Sequence, residues 1–405
     1  PGPTPPAGLL LDGLARLIAD GPATGTAVLR QALDAFRGSA VGTDERLRWL
    51  WLAGRAAGFI WDYDSWDELT ARQVEVASDA GALAVLPLTL STRAGVHLFA
   101  GELSVAALLV EQVEAVADAT DTRTARYGAA AVAAFRGREH DARQLLDADS
   151  KDFASRGEGT GLTVTQWAAA VLYNGLARYD DAFAAADEAL EDPYELWLSP
   201  WATVEIIEAA SRTGRTDAAA AALERLAEGT SASGTVWGAA IEDRSRALLS
   251  RGAVAEALYR HAIDRLAPTA LRLDLARTHL LYGEWLRRER RHVDARQQLQ
   301  AAHDLFTEFG MEAFAERARV ELRATGGHTR QPVPGTGHDL TAQEAQISQL
   351  VAQGRTNLEI AAQLFISPST VEYHLHKVFR KLGVKSRTQL ARRVLEKPPS
   401  AARRA

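Results

Sequence analysis

Cysteine is absent from the 405 residues, and methionine occurs once, at Met311. The first absence excludes disulfides and thiolate zinc sites and fits a cytosolic home. No apolar run approaches the roughly 20 residues that a membrane-spanning helix needs. The best stretch, Gly81 to Leu90, is short and is interrupted by Pro87. Pro1 to Leu11 has no basic residue, so no secretory signal is expected there. Pro1 leaves two origins open: a removed initiator methionine, or the tail of a longer protein. Catalytic signatures are missing too. There is no G-x-S-x-G elbow, no HExxH, no glycine-rich dinucleotide loop and no G-x-x-x-x-G-K-[ST] phosphate loop. These absences argue against an enzyme and a membrane protein, and no cofactor is expected. His374-x-His376 is not a metal pair, because residues two apart on a helix point in different directions.

What is present forms helices. Hydrophobic residues make up 47% of the chain and charged residues 24%, with Leu and Ala prominent, which favours helix over strand. The length calls for at least two units. Of the 46 basic and 52 acidic residues, 11 and 5 lie from His338 to Ala405, leaving 35 and 47 elsewhere. A basic end on an acidic body suggests a nucleic-acid footprint confined to that end.

Ala324 to Asp339 reads ATGGHTRQPVPGTGHD, a Gly/Pro/Thr stretch expected to be a flexible linker with an r.m.s. span of roughly 20–25 Å. It separates residues 1–323 from a unit at 340–397, with 398–405 expected as a disordered tail. The first region repeats. GELSVA ends at Ala106, GREHDA at Ala142, ARYDDA at Ala182, GRTDAA at Ala219, GAVAEA at Ala257 and RRHVDA at Ala295, with a degenerate copy, DSWDEL, ending at Leu69. Each unit is a helical hairpin of slightly under 40 residues. The small Ala sits where two helices approach, and the turn Gly allows positive φ. The fold expected is all-α: a tetratricopeptide-like, right-handed α-solenoid of seven or eight hairpins with a concave inner surface. Trp49, Trp51, Trp61 and Trp66 are offered two roles, packing between layers or a flat ligand on the concave surface.

The C-terminal residues are punctuated by caps. Thr341-x-x-Glu344, Thr356-x-x-Glu359 and Ser386-x-x-Gln389 are capping boxes, Ser367-Pro368 opens a third helix, and Gly354 and Gly383 close two of the four. A short turn, Phe365–Ser367, joins the second and third helices into a helix-turn-helix. On the third helix Val371, Leu375, Val378 and Leu382 share an apolar face, opposite Ser369, Glu372, Tyr373, His376 and Arg380. Long polar side chains displayed this way suit major-groove reading. Lys377, Lys381, Lys385 and Arg387 flank them and suit phosphates. On the fourth helix, Leu390, Val394 and Leu395 share an apolar side expected to form a dimer contact.

LTAQEAQISQLVAQGRTNLEIAAQLFISPSTVEYHLHKVFRKLGVKSRTQLA closely resembles the LuxR-type helix-turn-helix family. The matches are LT-x-x-E, G-x-x-N-x-EIA, S-x-x-TV-x-x-H and KLGV-x-SR-x-QLA. Upstream, SRGEGTGLTVTQWAAAVLYNGLARYDDA and HLLYGEWLRRERRHVDARQQL resemble the C-terminal half of the large ATP-binding LuxR-type regulators. ATP binding does not carry over, because the phosphate loop is missing. The resemblance implies a four-helix domain that binds double-stranded DNA, with base contacts at Glu372, Tyr373 and His376. His376 stands where Arg or Lys is more frequent. It also implies backbone contacts at Thr370 and His374, and a homodimer on DNA. The expected function is a cytoplasmic transcriptional regulator, an activator if it follows the family's commoner mode, with RNA polymerase as a partner and the array sensing a small molecule or protein. The alternative is a helical-repeat scaffold tethered to DNA.

Overall fold

The computed structural model describes residues 4–38, 41–121, 126–192, 197–326, 342–364, 368–384 and 386–396, and among them every regular element is a helix. The chain divides into an N-terminal unit, Pro1–Thr329, and a C-terminal unit, Arg330–Ala405. In the first unit the helices are α1 (Pro6–Asp20), α2 (Pro22–Arg37), α3 (Thr43–Phe59), α4 (Tyr63–Asp79), α5 (Leu86–Phe99), α6 (Leu103–Thr120), α7 (Tyr127–Arg136), α8 (Glu139–Arg156) and α9 (Gly159–Gly175). They continue with α10 (Tyr179–Ala189), α11 (Ser199–Thr213), α12 (Thr216–Ser233), α13 (Val236–Leu249), α14 (Gly252–Leu266), α15 (Arg272–Arg288), α16 (His292–Phe309) and α17 (Glu312–Ala324). The second unit holds α18 (Ala342–Ala352), α19 (Asn357–Leu364), α20 (Pro368–Leu382) and α21 (Arg387–Glu396). None of these helices is long and apolar enough to cross a membrane. The expected linker lies outside the described residues from 327 onward, as does the tail. Ala324, the first linker residue in that reading, ends α17.

Successive helices pair as eight hairpins, α1/α2 to α15/α16, with α17 closing the series. One turn recurs in six of them. The residue two places before the second helix is left-handed: Trp61, Gly101, Gly137, Ala177, Gly214 and Arg290. Glycine takes this conformation freely, whereas Trp61, Ala177 and Arg290 pay roughly 1–2 kcal/mol for it. Four residues into the second helix stands the contact residue, usually alanine: Ala106, Ala142, Ala182, Ala219, Ala255 and Ala295, all 1% exposed or less. This corrects two registers. The buried alanine of α14 is Ala255, while Ala257 is exposed, because the left-handed glycine of that hairpin, Gly252, is itself the first residue of α14, so the helix starts two residues earlier relative to the motif. In α4 the position belongs to Trp66, not Leu69. In α2 it belongs to Gly25, where a Cβ would lie 2.6 Å from the Leu17 backbone.

The odd-numbered helices form an inner layer. From Trp201 to Ala210 every residue of α11 is buried, and α15 buries 12 of its 17. The even-numbered helices bury only one stripe each. The coil then returns on itself. α2 packs on α12, α5 on α15 and α7 on α17, each pair ten helices apart, so five hairpins complete one turn. The inner surface, expected to be an open concavity, is therefore filled. Trp66 stacks on Trp237 with ring centroids 6.0 Å apart, and Trp61 meets Trp237 edge-on at 5.0 Å. Phe99, Trp167 and Trp201 complete the cluster. The spaces left among these rings measure only about 20 and 30 Å³.

Beside the rings lies a buried ionic network that sequence reading missed. Arg277 of α15 donates to Glu205 and Glu208 of α11, at 2.8 Å each through Nη2. Arg317 of α17 donates to Glu208 and to Glu284, both at 2.7 Å. Arg212 pairs with Glu284, and the Asn174 amide donates to Glu205 at 2.8 Å. Burial alone would push Glu208 up, but Arg317, Arg277 and Arg212 outweigh it and hold it at about 2. Three arginines against three carboxylates leave the interior charge balanced, which is the condition for burying ions at all. The signal was present in the sequence: WATVEIIEAA and LARTHLLYGEWL are apolar nearly all round yet carry charges.

Candidate nucleic-acid interface

The C-terminal unit has its own core of Ile347, Leu350, Val351, Ile360, Ala361, Val371, Leu375, Val378 and Leu390. The caps that define its helices are visible as hydrogen bonds. The Thr356 N–H donates to Glu359 Oε2 at 2.7 Å, and the Glu359 N–H returns to Thr356 Oγ1 at 3.2 Å, a reciprocal box that opens α19. Ser386 Oγ accepts from the Gln389 N–H at 3.2 Å at the start of α21. Gly354 and Gly383 adopt φ of +83° and +65° after α18 and α20. The Thr341 end of the first box and the Phe365–Ser367 turn lie outside the described residues.

α20 packs against both α18 and α19. Val371, Leu375 and Val378 point into the core, and Leu382 packs partly against it. Glu372 and His376 are exposed on the other side. Lys377 and His374 are half-buried beside that face. Burial, with Lys377 nearby, lowers the His374 pKa and so favours its neutral form. A neutral imidazole offers a phosphate a hydrogen bond rather than a counter-charge. The side chains of Thr370, Tyr373, Lys381 and Leu395, and the whole of Lys385, lie outside the described residues.

Two assignments change. Arg387, expected on a phosphate, donates to Asn357 Oδ1 at 2.6 Å and to the Arg355 carbonyl. Its guanidinium is thereby committed to holding the start of α19 against the start of α21. Asn357 and Arg355 are the partners sequence reading overlooked; the polar residue at the first position of α19 was the available clue. Leu390, expected at a dimer contact, is 0% exposed inside the monomer core, with Val394 packed against the same core. A four-helix unit this small has few other apolar groups with which to fill its centre.

The four tryptophans offered as ligand aromatics do not form one site. Trp66 is 1% exposed and enclosed by other rings. Trp61 is buried against Trp237. Trp49 and Trp51 lie on α3, partly exposed, with Trp51 Nε1 donating to the Arg48 carbonyl at 2.9 Å. The inward pair was absorbed by ring packing, which leaves no room for a flat ligand between the rings.

Residues 338–394 match the family model described as bacterial regulatory proteins, luxR family. The spore germination protein GerE of Bacillus subtilis is 46% identical over 50 residues, covering 12% of this chain and 68% of GerE. The transcriptional regulatory protein UhpA of Escherichia coli is 39% identical over 85 residues, 20% of this chain and 43% of UhpA. A Mycobacterium tuberculosis protein named "Putative HTH-type transcriptional regulator" is 42% identical over 78 residues, 19% of this chain but only 8% of its own length. The likeness is thus concentrated in the unit just described, and the chain matches less than half the length of the mycobacterial protein and of UhpA. Through its C-terminal helix-turn-helix unit, this chain belongs to the luxR family of bacterial regulatory proteins.

Proposed function

We propose that the chain is a sequence-specific DNA-binding transcriptional regulator whose α20 enters the major groove. The observation that carries this reading is the division of α20 into a buried face, Val371, Leu375 and Val378, and an exposed one bearing Glu372 and His376. Such a helix, held from behind by its own core, presents side chains at fixed heights to base edges. In this reading Glu372 accepts from a cytosine amino group, Tyr373 packs on a thymine methyl and His376 bonds a third base. Lys377, Lys381 and Lys385 neutralise phosphates, and Thr370 and His374 add neutral hydrogen bonds to the backbone. The excess of basic residues after His338 supports that arrangement.

The unit acts as a homodimer on a two-fold operator in this reading, with a contact that spares Leu390 and uses Val394, which is half-exposed. It activates transcription through RNA polymerase, and the helical array senses an effector. Selection of bound duplexes from a randomised pool by the full chain tests the central claim. Enrichment of one motif with two-fold symmetry is expected. Retention of duplexes without sequence preference would overturn it and leave a scaffold tethered to DNA.

A further inference from the structure

A pocket of about 590 Å³ lies where the start of the coil meets its later turn, lined from α2, the end of α3, α10, α11 and α12. It is some twenty times larger than the spaces within the aromatic centre and falls in the size range of small-molecule sites. Its wall is apolar: Phe59, Trp61, Leu190 and Leu226 contribute to it. The charged groups that line it are unequal in sign. Among the described residues that line it, Asp187, Glu191 and Asp192, at and just past the end of α10, outnumber the cation Arg225 of α12. All four are exposed, so they cost nothing to keep charged and set the sign of the entrance.

Trp61 joins this pocket to the interior. The same residue lines the pocket and the roughly 20 Å³ space bounded by Glu205, Asp274 and Arg277. Its ring meets Trp237, whose Nε1 donates to Asp274 at 2.8 Å. A molecule pressed on the outer side of Trp61 therefore acts on the ring cluster and, through it, on the ionic network between α11 and α15.

We propose that this pocket binds a small organic cation with an apolar body, the body against Phe59 and Leu190 over the buried Trp61 and the ammonium among Asp187, Glu191 and Asp192. The proposal deepens the reading of the array as the sensing part of the protein. It is independent of DNA binding, and its test uses no DNA. The probes are three molecules of one shape and different charge: phenethylamine, 2-phenylethanol and phenylacetate. Each is titrated into the full chain by calorimetry, with tryptophan emission followed in parallel. The amine should bind saturably, at least about fivefold tighter than the alcohol, the anion should bind weakest, and tryptophan emission should shift with saturation. Exposed ion pairs each supply less than about tenfold, so Asp187→Asn/Glu191→Gln should erase the preference for the amine. Arg225→Gln should tighten amine binding, because it removes an opposing charge from the pocket wall. These positions are exposed, so the variants leave the core untouched, and unchanged thermal melts verify this. The absence of saturable amine binding overturns the proposal, as does an amine bound no better than the alcohol or a preference that survives Asp187→Asn/Glu191→Gln.

Discussion

Arg277 holds the inner layer together at the point where α15 meets α11, and its replacement tests the closed coil most directly. Its guanidinium faces Glu205 and Glu208, and none of the three side chains is more than 5% exposed. Arg277→Met keeps an unbranched apolar stem but removes the charge. Glu208 retains Arg317, whereas Glu205 is left with the Asn174 amide alone. Removing one partner of a buried ion pair costs about 3–5 kcal/mol, because the other charge is stranded. At about 2 °C per kcal/mol for a unit of this size, the melting temperature should fall by about 6–10 °C. Thermal unfolding at pH 7, followed by circular dichroism at fixed protein concentration, reads the change. Glu205→Gln in the same background removes the stranded charge and should restore at least half of the loss, since the coupling of neighbours is non-additive. A fall of less than about 2 °C for Arg277→Met would refute the reasoning. So would a double variant no more stable than the single one.

Three further outcomes follow from the same geometry. Glu208 is held down at about 2 by its arginines. Its contribution to stability is therefore complete above the ordinary carboxylate range, near pH 4.3, and drains away as pH falls toward 2. Melting temperature should decline across that window, with a shallower decline in Glu208→Gln; equal slopes would remove Glu208 from the account. Ala177 is exposed and left-handed at φ +58°. Ala177→Gly should raise stability by about 0.5 kcal/mol, the relieved strain exceeding the extra freedom of the unfolded chain, and a lower denaturation midpoint would contradict this. In DNA titrations at two salt concentrations, Glu372→Ala should cost about 1–3 kcal/mol on the selected site and relax one base position. Lys377→Ala should weaken all duplexes alike and reduce the salt slope by about one, so the opposite pattern would exchange their roles.

Much of the C-terminal unit was legible in the sequence because its determinants are local. Thr356 and Glu359 cap one helix from three residues apart, and Val371, Leu375 and Val378 recur at the period of a single helix. The hairpin repeat was legible for the same reason, since a turn and a small contact residue lie within six positions of each other. Its register failed at α14, where the motif's letters fit two alignments and only the packed alanine separates them. The partners of Leu390 and Arg387 inside the unit were not legible, because a helical wheel shows that a side is apolar or basic without showing what covers it. In the N-terminal unit, hydrophobic periodicity made the hairpins but was silent about the return of the coil. Trp61 and Trp237 are 176 residues apart, and Asn174 meets Arg317 across 143. Four charged residues on the apolar helices α11 and α15 became one neutral network with Arg212 and Arg317 only when α9, α11, α15 and α17 came together, because a buried charge is tolerable only beside its partner. Sequence pattern determined which segments become helices and which face each hides. Tertiary packing decided that the hidden faces close on rings and ion pairs rather than on an open groove, because that depends on how a small rotation at each hairpin accumulates over five of them.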